Sequence, residues 1–593
     1  MGTFKKTFWA AFLAFFAANI AISIFTVIIV IGTLASVMML GGSSVDIDDD
    51  SILRIDLSKT VSEQGAASPL GSFDLGVVSF TEELALLDVV SAIDNAASDK
   101  RIKGIYIDVP LSVATSSTNL EEIRSALLRF KNSGKFITSY SEFYPQAGYY
   151  LASVADDIFV NPEGGVAWHG MSANVMFLKN LLDKLQIEAQ VIRHGQFKSA
   201  IEPYILSKMS PENRMQYTTL LETLWGTVVS DVSESLGVDS ALLVKYANDL
   251  RAQEAKVALE CKMVTELKYQ DQVSEFLIDQ SGSDDDGKPN FVELSDYISD
   301  LSVRANLTSS NHIAVIYASG GIISGDSENG NIGSKTLSEQ LAKVREDDDV
   351  KAVVLRVNSP GGSALASEVM WREIELVRKQ KPVIVSMGAY AASGGYYISC
   401  PADVILSNRM TLTGSIGVYG VVFNAQKGLN NKLGITFDGV KTGASADMGV
   451  PYRPLSTAEK AVMQKSVENV YSTFTKRVAD GRNLSVEQVD KIGGGRVWSG
   501  VSAMEVGLID GFGGLSDAIL LAADRAGVIS DYRIVGAVEK EPIDMLLEAL
   551  AFKAKAKIDN TQAGELYNQS LKVEQMMRFS GVQTLSPILE IEM

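Results

Sequence analysis

The sequence contains few of the residues that several common catalytic and structural sites require. It has two cysteines, Cys261 and Cys400, and three histidines, His169, His194 and His312, in 593 residues. Two cysteines form at most one bridge, which excludes a disulfide scaffold. No HExxH motif occurs and the cysteines are isolated, so the sequence predicts no metal site and no cofactor.

Basic residues are also scarce. Lys and Arg number 53 against 72 Asp and Glu, which gives a formal net charge of −19. Nucleic-acid-binding proteins usually present a basic surface, so that function class is not favoured. Charged residues make up 21% and hydrophobic residues 46% of the chain, as in globular domains joined to one membrane segment.

One long stretch lacks charge altogether. Residues 8–40 carry no charged side chain, and these 33 residues exceed the roughly 20 that span a bilayer. Lys5 and Lys6 precede the stretch, and four aspartates follow it: Asp46, Asp48, Asp49 and Asp50. Since basic residues favour the cytoplasmic side, we expect 1–7 in the cytoplasm, 8–40 as an anchor and the rest outside. A cleaved signal peptide is the alternative, but its apolar region is usually about 7–15 residues long.

An internal repeat organises the rest of the chain. The segment IKGIYI at 102–107 resembles VKAVVL at 350–355, and AGYYLASVADDIFVN from Ala147 resembles GGYYISCPADVILSN from Gly394, which lies 247 residues later. In both copies strand-like runs alternate with helical patterns, which indicates βαβ units and a largely parallel sheet. The sequence therefore predicts two α/β repeats, at 45–305 and 310–535, and a tail at 536–593 to which we assign no role.

The two copies differ at the positions where chemistry is expected. Ser393 lies among small residues in AASGGYY, and the aligned residue of the first copy is Gln146. Lys198 lies in HGQFKSA of the first copy, and its counterpart in the second copy is Ala446. Each copy has lost what the other retains, so we predict one composite catalytic site with a serine nucleophile and a lysine base.

A serine–lysine pair needs an unusual lysine. A serine hydroxyl is a weak nucleophile without an adjacent base, and a lysine accepts a proton only when it is neutral. Burial can lower a lysine pKa from about 10.4 towards 7–8, and apolar neighbours such as Phe197 and Ile201 suit such a setting. Two alternatives remain: Lys198 is an ordinary surface lysine, or Lys441, the counterpart of Arg193, is the base.

Two further motifs of the second copy fit the same chemistry. In NSPGGS at 358–363, Gly361 and Gly362 can present backbone N–H groups to an oxyanion, with the N–H of Gly394 as another donor. Ser415, in TLTGSIGVYG, can hydrogen-bond the lysine nitrogen and orient it; its counterpart is Trp168. The alternative for NSPGGS is an ordinary Pro-Gly turn, and the alternative for Ser415 is a small residue in a glycine-rich turn.

The histidines do not favour a Ser-His-Asp triad. His194 lies four residues before Lys198, but its counterpart in the second copy is Thr442, which offers no parallel role.

The motifs RVNSPGGSALASE, AASGGYY, LTGSIGVYG and FKSAIEP together resemble those of the long-form signal peptide peptidase A family, the protease IV enzymes of the bacterial inner membrane. The resemblance covers nearly the whole chain. It implies two tandem crotonase-like repeats related to the Clp protease subunit, a nucleophile at Ser393, a base at Lys198 and a lysine-orienting serine at Ser415. It also implies a ring-like homo-oligomer, typically a tetramer, that digests signal peptides and other hydrophobic peptides on the periplasmic side of the membrane.

Two other functions are compatible with parts of the pattern. A crotonase-type enzyme acting on acyl thioesters would use similar backbone donors, but it usually has acidic catalytic residues, and none is paired beside AASGGYY. An inactive membrane scaffold would have no reason to retain both Ser393 and Lys198.

Overall fold

The computed structural model describes residues 47–65, 83–284, 286–304, 308–328 and 330–536, together with strands at 72–74, 77–79, 581–585 and 591–592. The predicted anchor at 8–40 lies outside the described residues, as does most of the tail. Within the described ranges, no helix has the length and apolar character needed to cross a membrane.

The strands, numbered in chain order, are short at the edges and long at the centre of each sheet. They are β1 Ser51–Asp56, β2 Thr60–Ser62, β3 Ser72–Asp74, β4 Val77–Ser79, β5 Glu83–Ala85, β6 Ile102–Asp108, β7 Phe136–Ser141, β8 Asp157–Val160, β9 Ser172–Ala173, β10 Glu188–His194, β11 Glu266–Leu267, β12 Phe291–Glu293, β13 His312–Ser319, β14 Ile322–Ile323, β15 Ile332–Gly333, β16 Val350–Ser359, β17 Gly361–Ser363, β18 Val383–Ala392, β19 Val404–Ser407, β20 Leu412–Gly414, β21 Val418–Asn424, β22 Val497–Ser499, β23 Gly511–Phe512, β24 Arg533–Gly536, β25 Gly581–Leu585 and β26 Ile591–Glu592.

The helices alternate with these strands. They are α1 Leu86–Ser98, α2 Ser117–Lys131, α3 Gln146–Ala152, α4 Lys179–Leu185, α5 Glu202–Ile205, α6 Pro211–Leu236, α7 Ser240–Asn248, α8 Ala255–Glu260, α9 Gln270–Ser281, α10 Leu294–Arg304, α11 Ser334–Glu346, α12 Ala364–Arg378, α13 Gly394–Ser399, α14 Gln426–Leu433, α15 Thr457–Arg482, α16 Val486–Ile492, α17 Gly500–Glu505 and α18 Leu515–Arg525.

The two halves of the chain form parallel sheets of the same topology. The first sheet has the order β12-β1-β6-β7-β8-β11, and the second contains β24-β13-β16-β18-β19-β23 in the corresponding places. Two helices of equal length, α6 and α15, each 26 residues long, begin after serine N-caps at Ser210 and Ser456. The prediction of an α/β protein is confirmed, and the repeated strand order agrees with the predicted tandem repeat.

The central strands β16 and β18 are rich in valine and other apolar residues and are buried over nearly their whole length. Such runs are typical of parallel strands that helices cover on both faces. Helices α11 and α12 pack on one face and α18 on the other, so two hydrophobic cores flank the second sheet. The NSPGG and AASGG segments lie at the C-terminal ends of β16 and β18.

A third sheet joins the two halves. Strand β10 of the first half pairs antiparallel with β21 of the second half, in a register that sets His194 opposite Val418. The full order is β10-β21-β25-β17-β14-β15. The chain directly after β10 therefore lies beside residues of the second half.

Buried charges also connect the halves. Arg356 on β16 is fully buried, and its guanidinium bonds Glu63 at 2.7 Å and Glu122 at 2.8 Å, both from the first half. Arg409 bonds Glu121 and Asp231 of the first half, each at 2.7 Å. A buried charge that loses its partner is costly, so these pairs restrict how the halves fit together.

Candidate active site

Ser393 lies on a sharp turn between β18 and α13. Its φ of 56° is a left-handed conformation that is strained for a serine, and its N–H donates to the carbonyl of Gly414 at 2.7 Å. Ser415 has the same strain, with a φ of 51°. Strained residues that the surrounding structure holds in place are concentrated at functional sites.

The β10–β21 pairing carries Lys198 to this turn. After β10 the chain turns at Gly195, which has a φ of 93° and whose Cβ, if present, would lie 2.3 Å from the carbonyl oxygen of Gly494. The Phe197 N–H then donates to that same carbonyl at 3.0 Å. Lys198, which is 195 residues from Ser393 in the chain, follows directly and is fully buried.

The Lys198 amine contacts three oxygens. Its Nζ lies 2.7 Å from Ser393 Oγ, 3.1 Å from Ser415 Oγ and 3.1 Å from the Ser415 carbonyl oxygen. Ser415 Oγ can donate to the Gly495 carbonyl at 3.4 Å, which leaves it free to accept from the amine. A neutral amine, with two N–H groups and one lone pair, matches this set: it donates twice to Ser415 and accepts from the Ser393 hydroxyl.

Burial lowers the pKa of Lys198 well below its ordinary value. The three hydrogen-bond partners are neutral oxygens, and none supplies the negative charge that would favour an ammonium ion. The arrangement therefore favours the proton-accepting form of the amine.

The NSPGG turn packs against the start of α13. A Cβ on Gly394 would lie 3.1 Å from the Gly361 Cα and 2.8 Å from Ser367 Oγ, so this close approach requires glycine. The Gly394 N–H, at the first position of the helix, has no intrahelical acceptor. The Gly361 N–H donates to Ser359 Oγ at 3.2 Å, and Gly362 follows on β17. The predicted oxyanion glycines are thus neighbours.

Sequence reasoning missed the glycines that make room for the lysine. A Cβ on Gly495 would lie 2.6 Å from the Lys198 backbone N, and a Cβ on Gly417 would lie 3.3 Å from its Cδ. The signal was present in the run IGGGR at 492–496, which has three consecutive glycines.

Gly495→Ala is therefore expected to reduce kcat by at least about 10²-fold, because the new methyl group displaces Lys198, and small misplacements of catalytic groups cost on this order. Gly434→Ala is the matched control. Gly434 also has a positive φ, of 68°, but nothing lies within 4 Å of its missing Cβ. Thermal unfolding should show only the cost of the positive φ in Gly434→Ala and a larger loss of stability in Gly495→Ala, whose new Cβ meets the Lys198 backbone. Equal activity in the two variants would contradict the role of Gly495.

The residues set aside from the sequence lie in other contacts. His194 Nδ1 is 2.7 Å from a carboxylate oxygen of Glu468, and its ring stacks on Tyr471. Lys441 pairs with Asp447 at 2.6 Å in an exposed loop. Cys261 and Cys400 are both buried free thiols.

A buried serine on a strand-to-helix turn, in contact with a buried amine and beside backbone N–H groups, is the arrangement of a serine hydrolase. The chain belongs to peptidase family S49, which matches residues 129–282 in the first half and 375–529 in the second. It is a serine peptidase, as the sequence predicts.

Relatives of similar length agree with this assignment. Protease 4 of Salmonella typhi is 35% identical over 555 residues, which are 91% of this chain and 89% of that protein. Protease 4 of Haemophilus influenzae is 37% identical over 446 residues, 74% of this chain and 72% of that protein. The chloroplastic serine protease SPPA of Arabidopsis thaliana is 34% identical over 456 residues, 76% of this chain and 67% of that protein. The predicted resemblance to protease IV is confirmed.

Proposed function

We propose that this chain is a membrane-anchored serine endopeptidase that uses Ser393 as nucleophile and Lys198 as general base. The observation that carries the proposal is the 2.7 Å contact between Lys198 Nζ and Ser393 Oγ, made by an amine whose pKa burial depresses. A lysine whose pKa is lowered in this way can take the serine proton.

The reaction follows from the positions of these groups. Ser393 Oγ attacks the peptide carbonyl carbon while its proton passes to Lys198 Nζ, which Ser415 holds by two hydrogen bonds. The Gly394 N–H and one N–H of the Gly361–Gly362 pair stabilise the negative oxygen. Lys198 then gives its proton to the leaving amine, and water, activated by the neutral lysine, hydrolyses the acyl-enzyme.

The substrates proposed are extended, hydrophobic peptides, including cleaved signal peptides. The side chains next to Ser393 in sequence, Ala391 and Ala392, are small and uncharged, and so are the glycines of the NSPGG turn. These features favour small or aliphatic residues before the cleaved bond.

A serine-reactive phosphonate and a peptide panel test this function together. The phosphonate should label Ser393 in the wild-type chain and leave Ser393→Ala unlabelled. Peptides with Ala or Leu before the cut should be hydrolysed at least about tenfold faster than those with Arg or Lys, as expected from ~1–3 kcal/mol of pocket discrimination. An unlabelled wild-type chain would favour an inactive scaffold, and a basic preference would contradict the proposed substrate class.

The location proposed is the bacterial inner membrane, with one span at 8–40 and the catalytic repeats on the periplasmic side. The support is the uncharged length of this segment and the lysines before it. We further propose that each of the two repeats, at 45–305 and 310–535, has the crotonase-like fold related to the Clp protease subunit.

We also propose a homo-oligomer, a tetramer by resemblance. The segment at 435–448 corresponds through the repeat to the β10 region, yet it exposes Ile435, Phe437 and Val440, with Val440 fully exposed. In the first half the corresponding segment pairs with β21. The counterpart of β21 lies around β9, so the 435–448 segment of one copy is expected to pair near β9 of a second copy. The need for detergent to extract the full chain tests the anchor. Light scattering of the extracted protein tests the assembly.

A further inference from the structure

A buried carboxylate follows Lys198 closely in the chain. Glu202 is 1% exposed. Its oxygens accept hydrogen bonds from the Ser210 N–H at 3.1 Å, the Ser210 hydroxyl at 2.5 Å and the Asn213 side-chain amide at 2.9 Å. All three groups are neutral donors at the N-terminus of α6, and an ionised carboxylate, which only accepts, matches them. Glu202 is therefore bound to the start of this helix.

These contacts fasten the segment that carries the lysine. Residues 198–202 are called the lysine turn below. The Glu202 N–H donates to the Ser199 carbonyl, which closes a short helical turn directly after Lys198. Just before the lysine turn, the backbone is bonded to the Gly494 carbonyl. Helix α6 packs into the hydrophobic core of the first half, so the lysine turn is tied at both ends to well-packed parts of the fold.

Helix α6 also holds the serine side of the site. Gln216, which lies about one helical turn after Asn213, accepts the Val497 N–H at 2.8 Å through its side-chain carbonyl. Val497 pairs with Gly414, whose carbonyl accepts the Ser393 N–H. The first turns of α6 therefore contact both the lysine turn and the strands that hold the nucleophile.

The second half caps its equivalent helix in a different way. Helix α15 begins after Ser456, and its own third residue, Glu459, accepts the Ser456 N–H at 2.8 Å. Val450, the residue aligned with Glu202 by the same spacing as Lys198 and Ala446, has no carboxylate. A helix of this kind can thus be capped by its own carboxylate. Only in the half that retains the lysine does the carboxylate come from the lysine turn.

We propose that Glu202 is a positioning residue for Lys198: its carboxylate fastens the lysine turn to α6, the helix that also holds the strands beside Ser393. This inference rests on the proposed function of Ser393 and Lys198. Glu202 itself touches neither reacting atom. It acts by keeping the lysine amine buried and within hydrogen-bonding distance of the serine.

The pH profile of peptide hydrolysis by the full chain tests this inference. Glu202→Ala should lower kcat by at least about tenfold with little change in KM, because the lysine moves while the peptide contacts remain. In the described part of the chain, the groups bonded to the amine are neutral oxygens of Ser393 and Ser415, and burial lowers the pKa of Lys198. Water that reaches a loosened amine raises this pKa towards its ordinary value. The acid limb of the profile should therefore move to higher pH.

Two variants separate positioning from a loss of stability. Glu202→Gln keeps an oxygen for the Ser210 N–H and the Asn213 amide, and its own N–H can donate to the Ser210 hydroxyl, so it should restore the wild-type acid limb. Glu459→Ala, the matched control, removes the equivalent capping carboxylate of α15. It should lower the melting temperature and leave the acid limb in place.

Asn213→Ala approaches the same contact from the helix. It removes one donor to Glu202 and keeps the Ser210 cap, so it should fold even if Glu202→Ala does not, and it should shift the acid limb in the same direction by a smaller amount. The inference is wrong if the limb stays at the wild-type pH in Asn213→Ala or in folded Glu202→Ala, or if it shifts equally in Glu459→Ala. A Glu202→Gln variant that matches Glu202→Ala would also contradict positioning through these hydrogen bonds.

The nucleophile variant separates failure of this inference from failure of the proposed function. If the wild-type chain hydrolyses the peptide, Ser393→Ala does not, and Glu202→Ala keeps the wild-type kcat and acid limb, the role of Glu202 is wrong and the catalytic assignment stands. If Ser393→Ala still hydrolyses the peptide, the proposed function itself is wrong.

Discussion

Ser393→Ala is expected to lower kcat for peptide hydrolysis by roughly 10⁴-fold or more, the range seen when the nucleophile of a serine peptidase is removed. The hydroxyl oxygen is the only heavy atom lost, and the methyl side chain of alanine fits among glycine and alanine neighbours. The melting temperature should therefore change little. Steady-state kinetics with a chromogenic peptide, together with thermal unfolding of the same preparation, measure both effects.

Ser399→Ala is the matched control for this variant. Ser399 is the last residue of α13, the helix that begins directly after Ser393, and is equally buried. Its hydroxyl donates to the Gly395 carbonyl at 2.7 Å without touching the lysine. Its activity should stay within a few-fold of the wild type. Retained turnover in Ser393→Ala, or an equal loss in Ser399→Ala, would remove Ser393 from the mechanism.

Lys198→Arg is expected to be as inactive as Lys198→Ala, again by roughly 10⁴-fold, because a guanidinium stays protonated at any usable pH and cannot accept the serine proton. The double variant with Ser393→Ala should be no worse than either single variant, since residues that act as one unit are not additive. Lys441→Ala, which breaks only the contact with Asp447, should keep most activity.

The pH dependence follows from the lowered pKa of Lys198. Activity should fall on acidification through that lowered pKa, with the binding of one proton. The unfolded chain binds this proton up to a pH near 10.4, whereas the folded chain releases it at lower pH. The buried amine therefore destabilises the fold below its folded pKa, and the penalty decreases as the pH rises towards 10.4.

Lys198→Met should accordingly raise the melting temperature at neutral pH while abolishing activity. Each unit by which the pKa is lowered corresponds to about 1.4 kcal/mol of unfolding free energy at low pH. Full turnover in Lys198→Arg, or loss of turnover in Lys441→Ala alone, would contradict the composite serine–lysine site.

Much of the architecture could be predicted from the sequence, because the two repeats have similar residues at aligned positions. The segments IKGIYI and VKAVVL became β6 and β16, which occupy the same place in two sheets of the same order. The contacts between the two halves could not be predicted from the sequence. Arg356 precedes NSPGG as one more charged residue at a strand end, and only the folded chain reveals that it is fully buried against Glu63 and Glu122.

For the catalytic site, the two complementary losses in the repeat were enough to single out Ser393 and Lys198 as candidates, since a comparison of aligned positions needs no coordinates. The sequence alone left Lys198 open as a surface residue and Lys441 open as a rival. The choice between Lys198 and Lys441 depends on which amine is buried away from water, and burial depends on the tertiary structure. Strand β10 pairs with β21, and the glycines at 417 and 495 leave room for the lysine stem. These long-range contacts, made between residues up to 297 positions apart, decide what no local pattern encodes: the Lys198 amine is fully buried, burial lowers its pKa, and it lies within hydrogen-bonding distance of the serine.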